Sequence, residues 1–260
     1  MATNQAGNGP IGIIGGSALS GIENLEAARR ETVTTPYGSP SSALLHGRIE
    51  EHDIVFIHRH GFEHTIAPHE INYRANLYAM QQVGVRDVIA VGAVGGITEH
   101  MMPITLVTPD QIIDYTWGRK QTFSEDSAEP VVHVDFTWPY DEDLRQALSR
   151  SAVALQLPLV TRGVYAAVQG PRLETAAEIA RMERDGCDIV GMTAMPEAAL
   201  ARELGLRFAC IAVVVNWAAG KGNQTTVSIG EIDENIRKGT NNVRRLLVHT
   251  LPLIKQEAAQ

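Results

Sequence analysis

Residues 11–20 read IGIIGGSALS, and this stretch predicts how the folded part of the chain begins. Its first four residues form a short apolar run of the kind found in strands that are buried on both faces. Two glycines and Ser17 follow directly, so the strand runs into a tight turn that exposes backbone N–H groups. The pattern indicates a loop that binds an anion, and it leaves open whether that anion belongs to a dinucleotide, to a nucleotide or is free phosphate.

The composition limits the class of protein. The chain has 260 residues, 44% of them hydrophobic, which is enough for one large α/β domain. A formal net charge of −8 argues against nucleic acid and anionic membranes as partners. Cys187 and Cys210 form neither a disulfide framework nor a metal-binding spacing. Since neither a signal peptide nor a membrane-spanning run is evident, we expect a cytoplasmic protein with a disordered tail at 1–9 and its domain at 10–260.

Short β-branched runs alternate with segments that carry apolar residues at three- and four-residue spacing. The runs predicted as strands are 11–14, 54–57, 88–94, 105–107, 163–168, 188–190 and 208–215. The segments predicted as helices are 71–83, 142–155, 175–185, 196–204 and 231–251. This alternation predicts a single α/β domain with a parallel or mixed sheet. The long aromatic segment 115–140 breaks the pattern, and we expect it to be a loop that binds a ligand or contacts another subunit.

The glycine spacing does not match two common phosphate-binding motifs. A dinucleotide fold requires G-x-G-x-x-G, whereas this chain has Gly12, Gly15, Gly16 and then Gly21. A nucleotide-binding P-loop requires Ser or Thr after Gly-Lys, whereas Gly222 stands there. The turn therefore remains a candidate site for one small anion.

Polar side chains follow several of the predicted strands. Arg59 and His60 come after the run at 54–57, and the Arg59 guanidinium offers a planar fork for phosphate oxygens. Asn216 follows the last predicted strand, and Glu174 stands between a glycine–proline turn and a helix. Because ligands bind outside the carboxyl ends of strands in α/β sheets, we expect these side chains to share one cleft. Taken singly, each also has an ordinary explanation, such as a surface ion pair or a carboxylate favoured by a helix N-terminus.

Four histidines lie close together between positions 58 and 69, namely His58, His60, His64 and His69. Their spacing is not H-E-x-x-H, and Pro68 prevents them from sharing one helix. We therefore expect no metal site.

Four motifs together resemble the family of trimeric purine nucleoside phosphorylases and methylthioadenosine phosphorylases. They are IGIIGGSAL (11–19), RHG…HTIAPHEINYRAN (59–76), GPRLETAAEIA (170–180) and GMTAMPEAALARE (191–203). The resemblance runs from residue 11 to about residue 254. Within the family, the sequence looks most like the bacterial 5′-methylthioinosine phosphorylases. It implies a mixed twisted sheet that forms a distorted barrel flanked by helices, in a homotrimer with sites near subunit interfaces. It also implies phosphorolysis of a nucleoside by free phosphate, with neither metal nor organic cofactor.

The resemblance also assigns roles to residues. Around phosphate it places Ser17, Arg59, His60, Thr193 and the backbone of Ala93, with Gly16 and Gly92 as further backbone contributors. It puts Met192 against the ribose, and it puts Glu174, Asn216 and Trp217 against the base. His133 matches a family position that reaches into the 5′ pocket of a neighbouring subunit.

The substrate is expected to be 5′-methylthioinosine. Glu174 accepts from the N1–H that only a 6-oxopurine carries, and the Asn216 amide donates to N7 or O6. Methylthioadenosine phosphorylases have Asp at the positions of Asn216 and Ala218, which this chain lacks. Ribonucleoside-specific members have a histidine near the 5′-hydroxyl, whereas residues 227–229, ending in Ile229, are mostly apolar here. The alternatives are an inosine and guanosine phosphorylase, a methylthioadenosine phosphorylase and a nucleoside-binding protein without activity.

Overall fold

The computed structural model describes residues 9–19, 26–125, 131–222 and 229–257. The strands are β1 (Ile11–Gly15), β2 (Glu26–Glu31), β3 (Leu44–Ile49), β4 (His52–His58), β5 (Asp87–Gly96), β6 (Leu106–Val107), β7 (Gln111–Asp114), β8 (Leu159–Val160), β9 (Val164–Ala167), β10 (Ile189–Gly191) and β11 (Arg207–Trp217). The helices are α1 (Tyr73–Gln82), α2 (Glu142–Ala154), α3 (Ala176–Arg184), α4 (Ala194–Glu203) and α5 (Ile229–Glu257). Each of the seven predicted strands and each of the five predicted helices overlaps one of these elements.

The described strands form one mixed sheet that branches at β5. The main row has the order β2-β3-β4-β1-β5-β10-β9-β7, while β11 also pairs with β5 and leads to β6 and β8. Strands β4, β1, β5 and β11 are parallel to their neighbours in this group, so their carboxyl ends share one edge. The predicted α/β domain with a mixed sheet and flanking helices is confirmed. The branch gives β5 three partners, so the sheet does not run as a single open row.

Helices cover both faces of this sheet, and the residues of β5 alternate between the two cores. Val88 and Ala90 pack in a cluster with residues of α1 and α4. Ile89 and Val91 pack in a second cluster with residues of α2 and α5. A strand that is buried on both faces needs a continuous apolar sequence, which explains why β5 was predictable from its composition.

Local sequence signals define where several helices begin. The Asp141 side chain accepts a hydrogen bond from the backbone N–H of Leu144 and so caps the start of α2. Thr175 and Glu178 form a capping box at α3. In α4 the backbone of Met195 is extended, so continuous helical geometry begins at Pro196, and proline is well suited to the first turn of a helix.

Some predictions fall partly outside the described residues. Residues 1–8 are not described, so the disordered tail remains a prediction. Residues 227 and 228 are not described either, and α5 begins at Ile229, whose side chain lies outside the description as well. Within the part of the chain that is described, none of the helices has the length and apolarity needed to cross a membrane.

Candidate active site

A cavity of about 410 Å³ opens where β1, β4, β5 and β11 reach their carboxyl ends. This volume lies within the range of small-molecule sites. Nine of the predicted site residues line it together, namely Ser17, Arg59, His60, Gly92, Ala93, Glu174, Met192, Thr193 and Asn216. The convergence that was expected from separate strand ends is therefore what the fold produces.

Antiparallel pairing of β10 with β5 brings Thr193 next to Gly92, in the wall of the cavity. Ile189 pairs with Gly96 and Val190 with Gly95, so the chain after β10 runs back along β5. A Cβ atom at Gly92 would lie 3.7 Å from the Thr193 hydroxyl oxygen. Thr193 also lies against the buried Tyr165 hydroxyl, with which its backbone and side chain interact.

Arg59 forms a buried ion pair with Glu197. The sequence predicted that the guanidinium fork would bind phosphate oxygens, and this ion pair corrects that prediction. The two side chains are 2% exposed, and Nε and Nη2 of Arg59 each lie 2.8 Å from a Glu197 carboxylate oxygen. Nη1 donates to the carbonyl of Val91 at 2.9 Å. Since a guanidinium has five N–H groups, two remain beyond these three bonds. The fork itself faces Glu197, and only the remaining two N–H groups are left for an anion.

Gly16 packs directly against this guanidinium. A Cβ atom at this position would lie 2.5 Å from Nη1 of Arg59 and 3.1 Å from the carbonyl oxygen of Val91. The glycine in the turn after β1 is therefore required by the close approach of the arginine.

His60 is held as a neutral imidazole. Its Nδ1 lies 2.9 Å from the carbonyl oxygen of Ile66, and a carbonyl only accepts, so Nδ1 carries the hydrogen. Burial, together with the charge of Arg59, lowers the pKa of His60 to about 4. Its Nε2 is consequently an acceptor at neutral pH. An acceptor here suits the P–OH group of a hydrogen phosphate ion.

His64 is a further residue of this end of the cavity. It lines the cavity, its ring centroid lies 4.5 Å from that of His60, and its Nε2 lies 3.4 Å from the Ser17 hydroxyl oxygen. Its φ of 53° is in the left-handed region, which residues other than glycine adopt rarely. Burial and the Arg59 charge lower its pKa. In the sequence, His64 stands out only as one of the four histidines between positions 58 and 69, and no pattern there indicates its role.

Glu174 also lines the cavity, on the segment between β9 and α3. Arg172, the nearby residue of opposite charge, is engaged with Glu178 through contacts of 2.7 and 2.8 Å. Burial, together with the neighbouring charge of Glu178, raises the pKa of Glu174. The ion pair of Arg172 thus leaves the Glu174 carboxylate to accept from a ligand.

Asn216 reaches the cavity at an irregularity in β11. The pairing register between β11 and β5 shifts between Val214 and Asn216. The Asn216 amide donates to the backbone carbonyl of Trp217 at 2.6 Å, which leaves one N–H and the carbonyl oxygen for a ligand.

Trp217 and Ala218 are not part of the described cavity wall. Successive side chains of a strand point to opposite faces, and the Trp217 ring packs beside Gly222. Ala218 is buried in a cluster with Ile97 and Val190. The base contacts predicted for these two residues therefore stay a prediction.

Two isoleucines of α5 supply an apolar wall. Ile232 and Ile236 line the cavity, and the Asn235 amide between them donates to the Val215 carbonyl at 2.8 Å. This bond fixes the register of α5 against β11. The apolar wall was predicted slightly earlier in the chain, at residues 227–229. His133 is exposed and is not part of the wall of this cavity, so its predicted role in a neighbouring subunit stays a prediction.

Sequence reasoning missed Glu197 and Arg119 as functional residues. A carboxylate on the apolar side of the predicted helix at 196–204 was a signal for Glu197. Arg119 lies in the irregular segment after β7, where no periodicity marks a buried side chain. Among the described residues, no group of three or more His, Cys, Asp or Glu side chains is placed to hold a metal ion. The expected absence of a cofactor remains a prediction.

Comparisons with known proteins place the chain in a family. The model of the phosphorylase superfamily matches residues 10–252. A probable S-methyl-5′-thioinosine phosphorylase of Xylella fastidiosa is 51% identical over 226 residues, which cover 87% of this chain and 95% of that protein. A 6-oxopurine nucleoside phosphorylase of Pyrococcus furiosus is 43% identical over 253 residues, which cover 95% of this chain and 94% of that protein.

The fold agrees with the same family. A methylthioadenosine phosphorylase from Schistosoma mansoni, solved in complex with adenine, matches this structure with a TM-score of 0.91 and 33% sequence identity. The match covers 96% of this chain and 93% of that one. The chain therefore belongs to the phosphorylase superfamily, which confirms the family predicted from the motifs and the prediction of an enzyme, a pentosyltransferase.

Proposed function

We propose that this enzyme cleaves S-methyl-5′-thioinosine with free phosphate, giving hypoxanthine and 5-methylthioribose 1-phosphate. One observation carries the proposal: a single cavity joins an anion-binding turn, a carboxylate–amide pair and an apolar wall. The turn suits phosphate, the pair of Glu174 and Asn216 suits a 6-oxopurine, and the wall suits a methylthio group. Its relative in Xylella fastidiosa carries the name of this activity.

The phosphate end supplies the nucleophile. Phosphate is a weak nucleophile, so the ribose must gain positive charge at C1′ before the bond forms. A dianion held by Ser17, Thr193 and the remaining N–H groups of Arg59 stabilises that charge and lies ready to attack C1′. His60 accepts the P–OH hydrogen through Nε2, which orients the unprotonated oxygens toward the sugar.

The base end stabilises the leaving group. The bond between N9 and C1′ breaks as electrons move into the purine, so negative charge accumulates on the base. The remaining N–H of Asn216 donates to N7 or O6, and Glu174 accepts from N1–H. Adenine has no hydrogen on N1, so its N1 lone pair would face the Glu174 carboxylate, acceptor against acceptor. The pair therefore favours hypoxanthine over adenine.

The 5′ group distinguishes methylthioinosine from inosine. Ile232 and Ile236 offer an apolar surface, on which a buried methylthio group is favoured over a hydroxyl. A general 6-oxopurine nucleoside phosphorylase is the second candidate, because the pair of Glu174 and Asn216 accepts inosine equally well and the Pyrococcus furiosus relative carries that name.

We also propose a homotrimer in the cytoplasm that needs no metal or organic cofactor. Support for the assembly comes from the segment around His133, where Val131, Val132 and Trp138 expose large apolar side chains. Such a surface suits a subunit contact that would carry His133 to a neighbouring cavity. Light scattering at assay concentration tests it, and an active monomer would contradict the shared site.

The decisive experiment compares three nucleosides at equal concentration, with and without phosphate. Release of free base should require phosphate. The kcat/KM for methylthioinosine should exceed that for inosine by about 10- to 200-fold, the range of a hydrophobic-pocket preference. Methylthioadenosine should react poorly. Equal use of inosine would favour the second candidate, and base release without phosphate would contradict phosphorolysis altogether.

A further inference from the structure

Arg119 lies buried behind the cavity, although it belongs to an irregular segment between β7 and α2. Its side chain reaches the interior, and the residue as a whole is 7% exposed. Every described hydrogen bond of its guanidinium goes to a neutral oxygen atom. A buried arginine usually pairs with a carboxylate, as Arg59 does here. The environment of Arg119 thus differs from that of an ordinary buried ion pair.

The guanidinium joins the two segments that carry the predicted base-binding and phosphate-binding residues. Nη1 donates to the carbonyls of Met192 at 2.8 Å and Met195 at 2.6 Å, on either side of Thr193. Nη2 donates to the carbonyls of Val168 at 3.1 Å and Gln169 at 2.8 Å.

Two side-chain contacts complete this set. Nε of Arg119 donates to the side-chain oxygen of Gln169 at 3.2 Å, and Nη1 lies 3.3 Å from the Tyr73 hydroxyl oxygen. The segment that starts at Val168 leads through the glycine–proline turn to Glu174. One rigid group therefore sets the spacing between the segment that carries Glu174 and the segment that carries Thr193.

Backbone carbonyls beyond the end of a strand no longer pair with a neighbouring strand and need donors from elsewhere. A planar guanidinium serves four of them at fixed angles, whereas a lysine ammonium has three donors and no fixed fork. The arrangement around Arg119 is consequently specific for arginine, not only for positive charge.

We propose that Arg119 is a positioning residue for phosphorolysis: it holds Thr193 and the Glu174 segment at the separation that aligns phosphate, C1′ and the base. This inference rests on the proposed function, since it assigns the two segments to the phosphate and base ends. Arg119 itself is not part of the described cavity wall, and it acts through the backbone that it binds.

The test compares Arg119→Lys and Arg119→Ala with a matched control, Arg145→Lys. Arg145 is also buried and also donates to backbone carbonyls, those of Pro109 and Thr161, but it is not among the described residues that line the cavity. The measurements are kcat, KM for phosphate, melting temperature, and the rise in melting temperature that phosphate produces. The Ala variant is also assayed with added guanidinium ion.

Arg119→Lys is expected to lower kcat by about 100-fold, since a misplacement of about 1 Å costs that much. It should also raise KM for phosphate and reduce the phosphate-induced rise in melting temperature. Guanidinium should restore part of the kcat of Arg119→Ala. Arg145→Lys should lower the melting temperature and leave kcat and KM unchanged.

Two results would overturn the inference: wild-type kinetics in Arg119→Lys, or guanidinium that restores the melting temperature of Arg119→Ala without its kcat. A wild-type protein that cleaves none of the three nucleosides would contradict the proposed function instead. In that case the phosphate-induced rise in melting temperature still tests whether Arg119 positions Thr193. Loss of this rise in Arg119→Lys would support that role, and an unchanged rise would overturn it.

Discussion

Glu197→Gln should destabilise the folded protein strongly and, at the same time, make its stability more dependent on phosphate. Glu197 and Arg59 are both about 2% exposed as side chains, and two contacts of 2.8 Å join them. A glutamine keeps the shape but offers one acceptor oxygen, and its amide nitrogen would meet the guanidinium donor against donor. The variant therefore leaves a buried positive charge without its counter-charge.

The magnitude follows from this burial. Removal of one partner from a buried pair costs about 3–5 kcal/mol, much more than for an exposed pair. In a chain of this size that corresponds to a fall in melting temperature of roughly 6–20 °C. A bound phosphate dianion restores negative charge beside Arg59, so phosphate should raise the melting temperature of Glu197→Gln more than that of the wild type.

The assay is thermal unfolding with and without saturating phosphate. Glu203→Gln is the matched control, because Glu203 lies on the same helix but binds the neutral groups of Thr122 and Phe123. It should lose less stability and show the wild-type response to phosphate. A Glu197→Gln variant that melts with the wild type would contradict the described ion pair. An unchanged phosphate response would show that Arg59 does not contact the anion.

Three further predictions concern the base, the 5′ group and pH. Asn216→Asp should lower the ratio of kcat/KM for methylthioinosine over methylthioadenosine by at least about 10-fold, and an unchanged ratio would place base selection elsewhere. Ile232→Asn should reduce the preference for methylthioinosine over inosine by about 10-fold, whereas Val248→Asn on the same helix should not. Since the pKa of His60 falls from 6.5 to about 4 on folding, the unfolded chain binds its proton more tightly. His60 therefore contributes stability above pH 6.5 that is lost as the pH falls toward 4. In urea unfolding, His60→Asn should reduce the change in unfolding free energy between pH 6.5 and pH 4 by up to about 3 kcal/mol. A dependence of the unfolding free energy on pH that stays the same in this variant would contradict the neutral His60.

The order of the elements was readable from local patterns, because burial on both faces of a strand demands an apolar sequence. All the predicted strands lie within the sheet, whereas β2, β3, β7 and β8 were missed. β3 (LLHGRI) lies between β2 and β4, but His46, Gly47 and Arg48 interrupt its apolar run. β2 and β7 end the main row and β8 pairs with β6 alone, so these strands are not enclosed between two neighbours. Such strands carry polar or very short sequences, EAARRE in β2 for example, and give no apolar signal. Their pairing depends on the neighbours that the fold brings to them.

The residue types of the site were also readable, because strand ends and glycine turns mark where a ligand approaches an α/β sheet. What the sequence could not determine was which partner each side chain takes. Arg59 and Glu197 are 138 residues apart, and only the tertiary packing that brings α4 to Arg59 makes the guanidinium fork face a carboxylate instead of an anion. Arg119 lies about 50 residues from the carbonyl of Val168 and 73 from that of Met192, in a segment without periodicity. Local patterns report burial and backbone geometry, whereas partners at such separations are chosen by the tertiary structure alone.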